Sequence, residues 1–188
     1  MIDRNSNIYT LVYALLLAAL VSGILAWVSS SLAPRREAAR IEARDAAVRA
    51  AALLDASRVE CLEDGGLQYF LCSSAQDTVV VLPCRGEGVE GEIWGYVALG
   101  EDFTSVRGVC FDHECETPGL GARIAEDGFS GIFRGRPFDA DGIYASADAL
   151  TGATKTSEAV GDMLRECTLR YAPLIGKFKK NVKEDELQ

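Results

Sequence analysis

The stretch Asp148-Ala-Leu-Thr-Gly-Ala-Thr154-Lys-Thr-Ser157 joins a loop of small residues to a helix, and the rest of the chain is arranged around it. On the loop side, Gly152 and its small neighbours leave the backbone open to close approach by another molecule. On the helix side, apolar side chains recur at one-turn spacing and predict a helix from about Thr156. The start of a helix presents unpaired N–H groups that suit a phosphate. Thr154 places a hydroxyl there, although such a residue is more often a simple helix cap.

A second loop, Glu116-Thr-Pro-Gly-Leu-Gly121, has two glycines around one apolar residue after a proline. The proline fixes the entry to a turn, and the glycines allow the backbone to approach a planar ligand closely. Leu120 is then placed to pack on a flat ring, and Thr117 or Glu116 to hydrogen-bond its polar edge. Because Pro and Gly mark turns in most proteins, the same six residues are also typical of an ordinary tight turn.

Three segments together resemble a known family. The residues Asp148-x-x-Thr-Gly-Ala-Thr154 resemble the flavinylation motif that periplasmic FAD:protein FMN transferases recognise. The stretch His113-Glu-Cys-Glu-Thr-Pro-Gly-Leu-Gly-Ala122 resembles the flavin-pocket loop that accompanies it. With Gly91-Glu-Ile-Trp-Gly-Tyr-Val-Ala-Leu99 before them, the sequence resembles the C subunit of the Na⁺-translocating NADH:quinone reductase as far as Tyr171. The G subunit of the RNF complex shares the first two motifs and stays an alternative.

The resemblance implies that FMN is bound covalently, through a phosphoester to Thr154. It also implies that residues of both loops contact the cofactor. These residues are Trp94, Glu116, Thr117, Gly119, Leu120, Gly121, Thr151, Gly152, Ala153, Lys155 and Thr156. Recognition by the transferase is expected to use Asp148, Gly152, Ala153 and Thr154. For Trp94, a place in the core of the strand is as good an interpretation, because aromatic residues in strands usually pack there.

The function that the resemblance implies is electron transfer within a membrane redox pump, which oxidises NADH, reduces a quinone and exports Na⁺. The expected partners are the other membrane subunits of that pump, the FMN transferase and membrane lipid. No dinucleotide-binding fingerprint is visible, so we expect no NADH oxidation by this chain alone. A different class remains open: a non-catalytic extracytoplasmic module whose glycine-containing loops hold a free phosphate-bearing ligand.

Composition limits the partners and the chemistry. The 188 residues include 19 basic and 28 acidic side chains, a formal charge of −9, which argues against a nucleic-acid partner. Six cysteines, an even number, are compatible with disulfides outside the cytosol. The pairing stays open, with Cys110–Cys115 and Cys61–Cys72 as two options. Cys110, Cys115 and His113 lie close in sequence, but no residue nearby has the spacing of a fourth metal ligand. We therefore expect no metal site.

The N-terminal segment predicts a single membrane span. Ile8 to Leu32 is an uncharged run of 25 residues, and a spanning helix needs about 20; the apolar core of a signal peptide is shorter. The four arginines that follow would place the rest of the chain in the cytoplasm by the positive-inside rule. The resemblance implies the opposite. Because the transferase acts in the periplasm, we expect an inner-membrane protein with its flavin domain on the periplasmic side.

The fold class that these patterns predict is α+β, with one N-terminal transmembrane helix and a single FMN-binding domain of antiparallel strands and flanking helices. The expected strands are Leu67–Ser73, Thr78–Leu82, Glu92–Leu99 and Ser105–Asp112, with further short strands at Gly131–Arg134 and Gly142–Ser146. A short helix is expected at Ala122–Asp127, and Pro173 is expected to end the last helix. The predicted organisation is an anchor at 1–34, a helical stalk at 35–59, the covalent FMN-binding domain at 60–172 and a charged C-terminal tail at 173–188.

Overall fold

A computed structural model describes residues 7–146 and 154–185, with side chains at 9–143 and 154–180. The chain divides into two units, Met1–Arg44 and Asp45–Gln188. Asp148, Thr151, Gly152 and Ala153 lie outside the described residues, so the flavinylation stretch is described from Thr154 onward.

The first helix, α1, spans Asn7–Ala52 and continues through Pro34. Among the described residues, one helix is long and apolar enough to cross a membrane, and it is this one. The large apolar side chains between Tyr9 and Val28 are exposed, as contact with lipid requires. The stretch rich in alanine and arginine after Pro34 therefore continues the apolar helix.

The second unit is built on an antiparallel sheet, which confirms the α+β class. Its five strands pair in chain order, β1-β2-β3-β4-β5. They are β1 Arg58–Asp64, β2 Leu67–Ser73, β3 Thr78–Glu87, β4 Glu92–Leu99 and β5 Val106–His113. The sequence did not predict β1, because four of its seven residues are charged and none of its positions is fully buried. Such charges are typical of an edge strand, where they oppose pairing with another chain.

Helices cover both faces of the sheet. After β5 come a 3₁₀ turn, two short helices with a second 3₁₀ turn between them, and one long helix. These are the 3₁₀ turn Gly121–Ala125, α2 Asp127–Ser130, the 3₁₀ turn Gly131–Phe133, α3 Ala140–Ser146 and α4 Thr154–Asp185. The larger core lies between the sheet and these elements, whereas Val48, Ala51 and Ala52 at the end of α1 pack on the opposite face.

The short strands expected at Gly131–Arg134 and Gly142–Ser146 are wrong. The first is a 3₁₀ turn and the second lies within α3. Each segment fixes one large side chain, Phe133 or Ile143, fully in the core. One buried side chain per segment is compatible with a single helical turn. Each segment is too short for the alternating pattern of a half-buried strand to distinguish a strand from such a turn.

The expected end of the last helix at Pro173 is also wrong, because α4 runs on to Asp185. Proline removes one backbone hydrogen bond, the one to the carbonyl of Leu169, and Leu169 is exposed so that water can solvate this group. Beyond the proline, Leu174 and Ile175 are buried. Lys177 Nζ also lies 2.6 Å from Asp64 Oδ2. Tertiary packing therefore keeps the helix continuous at Pro173, a residue that would end an isolated helix.

A disulfide joins the sheet to the long helix. It links Cys84 on β3 to Cys167 on α4 across 83 residues, with 5.6 Å between the Cα atoms. The two pairings considered from sequence are therefore wrong, and Cys61, Cys72, Cys110 and Cys115 are free thiols. The strand register explains why Cys61 and Cys72 do not pair with each other, since Cys61 lies opposite Phe70 and Cys72 lies opposite Val59. Burial raises the pKa of the Cys72 and Cys110 thiols, so both stay protonated at neutral pH.

The connection between β4 and β5 is a hairpin. Asp102 accepts hydrogen bonds from the backbone N–H and hydroxyl of both Thr104 and Ser105. These donors favour the ionised carboxylate and lower the pKa of Asp102 to about 2. The hairpin thereby fixes the register in which β4 and β5 meet.

Candidate cofactor-binding site

The Glu116–Gly121 loop and the start of α4 meet at one cavity of about 350 Å³. Three segments enclose it: the turn between β3 and β4, the loop after β5, and the start of α4. Its lining residues are Val89, Glu90, Glu116, Thr117, Leu120, Gly121, Thr154, Lys155 and Thr156. Segments far apart in the sequence are thus brought together.

Glu116 lies at the centre of this arrangement, with 4% of its surface exposed. Its Oε1 accepts hydrogen bonds from the backbone N–H groups of Val89, at 2.7 Å, and Glu90, at 3.2 Å. Its Oε2 accepts the hydroxyl of Thr156 at 3.0 Å. The carboxylate therefore ties the β3–β4 turn and the first turn of α4 to the loop that carries it, and contact of Glu116 with the flavin edge stays a prediction.

The glycines around the carboxylate have steric reasons to be glycine. A Cβ at Gly121 would collide with the Glu116 carboxylate and stand 2.8 Å from Thr156 Oγ1. A Cβ at Gly88 would collide with the other carboxylate oxygen and with Gly91 O. Gly119 has φ +78°, a left-handed conformation that side chains disfavour. Gly88 and Gly121 therefore make room for a buried carboxylate, and Gly119 allows a tight turn.

The rim of the cavity combines apolar and polar groups. Leu120 and Val89 are 49% and 52% exposed, and both line this recess. Thr117 donates its hydroxyl to Glu90 Oε1 at 2.5 Å and so ties the loop to the opposite turn. Val89 and Glu90 were missed by sequence reasoning, and their only signal was the glycine at each end of their turn.

Thr154 and Lys155 are the exposed first residues of α4, whereas Thr156 and Ser157 are buried. Because α4 has 32 residues, its start carries the partial positive charge of a long helix. Lys155 adds a full positive charge at the same place. The mouth of the cavity thus presents a hydroxyl and a cation side by side.

An open groove of about 1150 Å³ continues from the cavity along α4. Val89 and Lys155 line both recesses. The acidic residues that line the groove are Glu87, Glu92, Glu158, Asp162 and Glu166, and the basic ones are Arg85 and Lys155. Arg85 pairs with Glu92 at 3.1 Å, so the groove carries net negative charge next to the positive start of α4.

Trp94 is not brought to the cavity. It lies on β4 opposite Arg85 and Asp112, two residues from Tyr96, which packs with the core on the α1 side of the sheet. Because side chains alternate along a strand, Ile93 and not Trp94 faces the α4 side. The alternative interpretation of Trp94 as a residue of the strand's own packing is therefore the better one.

Comparison with known proteins shows what the second unit is similar to. A family model of the FMN-binding domain matches residues 88–168. The C subunit of the Na(+)-translocating NADH-quinone reductase from Haemophilus ducreyi is 35% identical over 120 residues, which cover 55% of this chain and 47% of that protein. Its counterpart from Pasteurella multocida is 31% identical over 125 residues, or 58% and 48% of the two chains. The chain spans about half the length of the curated relatives it matches.

A solved structure shows that the fold is shared. The crystal structure of Shewanella oneidensis NqrC superposes with a TM-score of 0.52 at 20% identity, over 71% of this chain and 74% of that one. The domain match includes the β3–β4 turn, the loop of Glu116 and the start of α4, which together form the cavity. Over this domain the chain is therefore similar to FMN-binding domains and to C subunits of the Na(+)-translocating NADH-quinone reductase.

Proposed function

We propose that this chain is an electron-carrying flavoprotein subunit of a membrane redox pump, with FMN joined to Thr154 by a phosphoester. The observation that carries the proposal is the position of Thr154: an exposed hydroxyl on the first residue of a 32-residue helix, at the mouth of a cavity in an FMN-binding domain. The relatives named above are subunits of a reductase that uses NADH and a quinone and translocates Na⁺. We infer the same assembly for this chain.

The residues of the cavity fit FMN. Its volume of about 350 Å³ lies within the range of small-molecule sites. Leu120 and Val89 offer apolar surface to a flat ring, and Thr117 offers a hydroxyl. Lys155 and the N–H groups at the start of α4 suit the phosphate. When bound, FMN supplies one- and two-electron redox chemistry, while the protein provides position and electrostatics.

Attachment requires a separate enzyme and a donor, for which we propose a FAD:protein FMN transferase and FAD. Thr154 Oγ forms a bond to the phosphorus of the FMN half of FAD, the pyrophosphate bond breaks, and AMP leaves. The hydroxyl proton passes to a base of the transferase. In this proposal Asp148, Gly152 and Ala153 are read by the transferase, and Thr151 lies beside the bound cofactor.

We also propose that the domain after α1 lies on the periplasmic side of the inner membrane. The Cys84–Cys167 disulfide supports this side, because disulfides form and persist in oxidising compartments and are rare in the cytosol. The arginines after the apolar run favour the cytoplasmic side by the positive-inside rule, and the disulfide is evidence for the opposite side. A disulfide between two cysteines buried in the core of the domain is the stronger sign, since it must form as the domain folds.

The proposal predicts a covalent flavin. Protein coexpressed with the transferase should give a fluorescent band on a denaturing gel under ultraviolet light, and protein expressed without the transferase should give none. A module that merely holds a free phosphate-bearing ligand would lose it on denaturation and leave no band with either expression. The absence of a band from both samples would overturn the assignment of a covalently bound FMN.

A reporter fused after Gln188 tests the location. We expect alkaline phosphatase, which is active only outside the cytoplasm, to be active in this fusion. We expect green fluorescent protein exported through the same membrane pathway to be dark. A bright cytoplasmic reporter with an inactive phosphatase would show that the arginine cluster, and not the disulfide, decides the orientation.

A further inference from the structure

Glu116 and Thr156 form a buried link between two walls of the cavity. The hydroxyl of Thr156 donates to Glu116 Oε2 at 3.0 Å, and both residues are 4% exposed. On its other oxygen, Glu116 accepts the backbone N–H groups of Val89 and Glu90. The β3–β4 turn therefore holds the carboxylate, and the carboxylate holds α4.

The point at which α4 is held lies two residues from Thr154, within the same helical turn. The first turn of a helix is its least secure part, because its N–H groups have no partner within the helix and helix ends fray. A buried side-chain hydrogen bond at this turn opposes fraying. Gly121 leaves the space in which the carboxylate and the hydroxyl meet, since a Cβ there would stand 2.8 Å from Thr156 Oγ1.

We propose that Glu116 and Thr156 act as a positioning pair, which holds the hydroxyl of Thr154 at the mouth of the cavity for transfer of FMN. The inference rests on the proposed function and adds the device that presents the acceptor. Neither residue is a catalytic residue, because both act through the placement of Thr154. Glu116 thus holds α4 through a carboxylate that also accepts two backbone N–H groups of the β3–β4 turn.

A merely structural role would make Thr156 important for stability alone, and Thr168 provides the matched control. Thr168 is on the same helix, is 5% exposed and donates its hydroxyl to Arg165 O at 2.8 Å. It lies 12 residues from Thr156 in sequence and does not line the cavity. Thr156→Val and Thr168→Val therefore each remove one buried threonine hydroxyl from α4. The first variant does so close to the acceptor Thr154, and the second does so far from it.

The first measurement is the rate of FMN incorporation into the full chain, followed by intact mass with purified transferase and FAD. For Thr156→Val we expect the rate constant at a saturating concentration of the protein to fall about tenfold to a hundredfold, the loss typical of a displaced reacting group. We expect the KM for the protein to change little. Thr156→Ser, which keeps the hydroxyl, should restore most of the rate, and Thr168→Val should match the wild type.

The second measurement needs no flavin. Hydrogen exchange of the amides of Glu158 to Val160, whose bonds close the first turn of α4, should be about fivefold to tenfold faster in Thr156→Val than in the wild type. Exchange at these amides should be the same in Thr168→Val as in the wild type. We expect this difference between the two variants even if both melt at the same temperature. Unaltered exchange and an unaltered transfer rate in Thr156→Val would overturn the positioning pair. If the wild type never accepts FMN, the proposed function fails, while the exchange comparison still decides whether Glu116 and Thr156 hold the helix.

Discussion

Replacing Thr154 with Val is expected to abolish the covalent flavin completely. Valine keeps the volume and branching of the side chain but lacks the oxygen that forms the ester. Because Thr154 is exposed, we expect its loss to change the free energy of unfolding by less than about 1 kcal/mol. The domain should fold, keep its Cys84–Cys167 disulfide and differ from the wild type in attachment alone.

Intact-mass spectrometry of protein coexpressed with the transferase measures this effect. The wild type should be heavier than its sequence by one FMN less one water, and Thr154→Val should have the mass of its sequence. Two controls separate the acceptor from its surroundings: Thr154→Ser keeps a hydroxyl and should carry the increment, and Thr151→Val should retain at least part of it. An increment on Thr154→Val would place the ester on another residue.

The second large effect is expected from the disulfide. It closes a loop across 83 residues, and on a chain-entropy estimate its removal costs about 4 to 5 kcal/mol of the free energy of unfolding. Typical domains have only about 5 to 15 kcal/mol in total. The double variant Cys84→Ala, Cys167→Ala should therefore unfold at a much lower urea concentration than the wild type.

Urea unfolding of the full chain in detergent checks this prediction, with the half-buried Trp94 of β4 as one of two tryptophan reporters. A reductant should lower the midpoint of the wild type towards that of the double variant and leave the double variant unchanged. Cys61→Ala with Cys115→Ala removes two exposed free thiols and should shift the free energy by no more than about 0.5 kcal/mol. A wild type that is insensitive to reductant would show that this bond is absent from the protein in solution.

The sequence by itself determined the elements whose signals are local. The long uncharged run before Pro34 specified an apolar helix, because length and composition suffice for that. The period-2 pattern specified β2 and β4 to the residue, since one face of each is buried and turns bound both ends. The Glu116–Gly121 motif pointed to a loop that lines the cavity, because its resemblance to a family carries information that local propensity does not.

Tertiary structure alone decided the contacts between distant segments. Pro173 is a helix breaker by propensity, yet the burial of Leu174 and Ile175 keeps α4 intact beyond it. Nothing in the spacing of six cysteines indicates Cys84 with Cys167, because that pair depends on α4 lying across β3. The same packing decided what contacts Glu116, because its carboxylate accepts two backbone N–H groups and a hydroxyl from segments distant in the sequence. Propensity acts over a few residues, whereas burial and hydrogen-bond geometry depend on what the folded chain brings within reach.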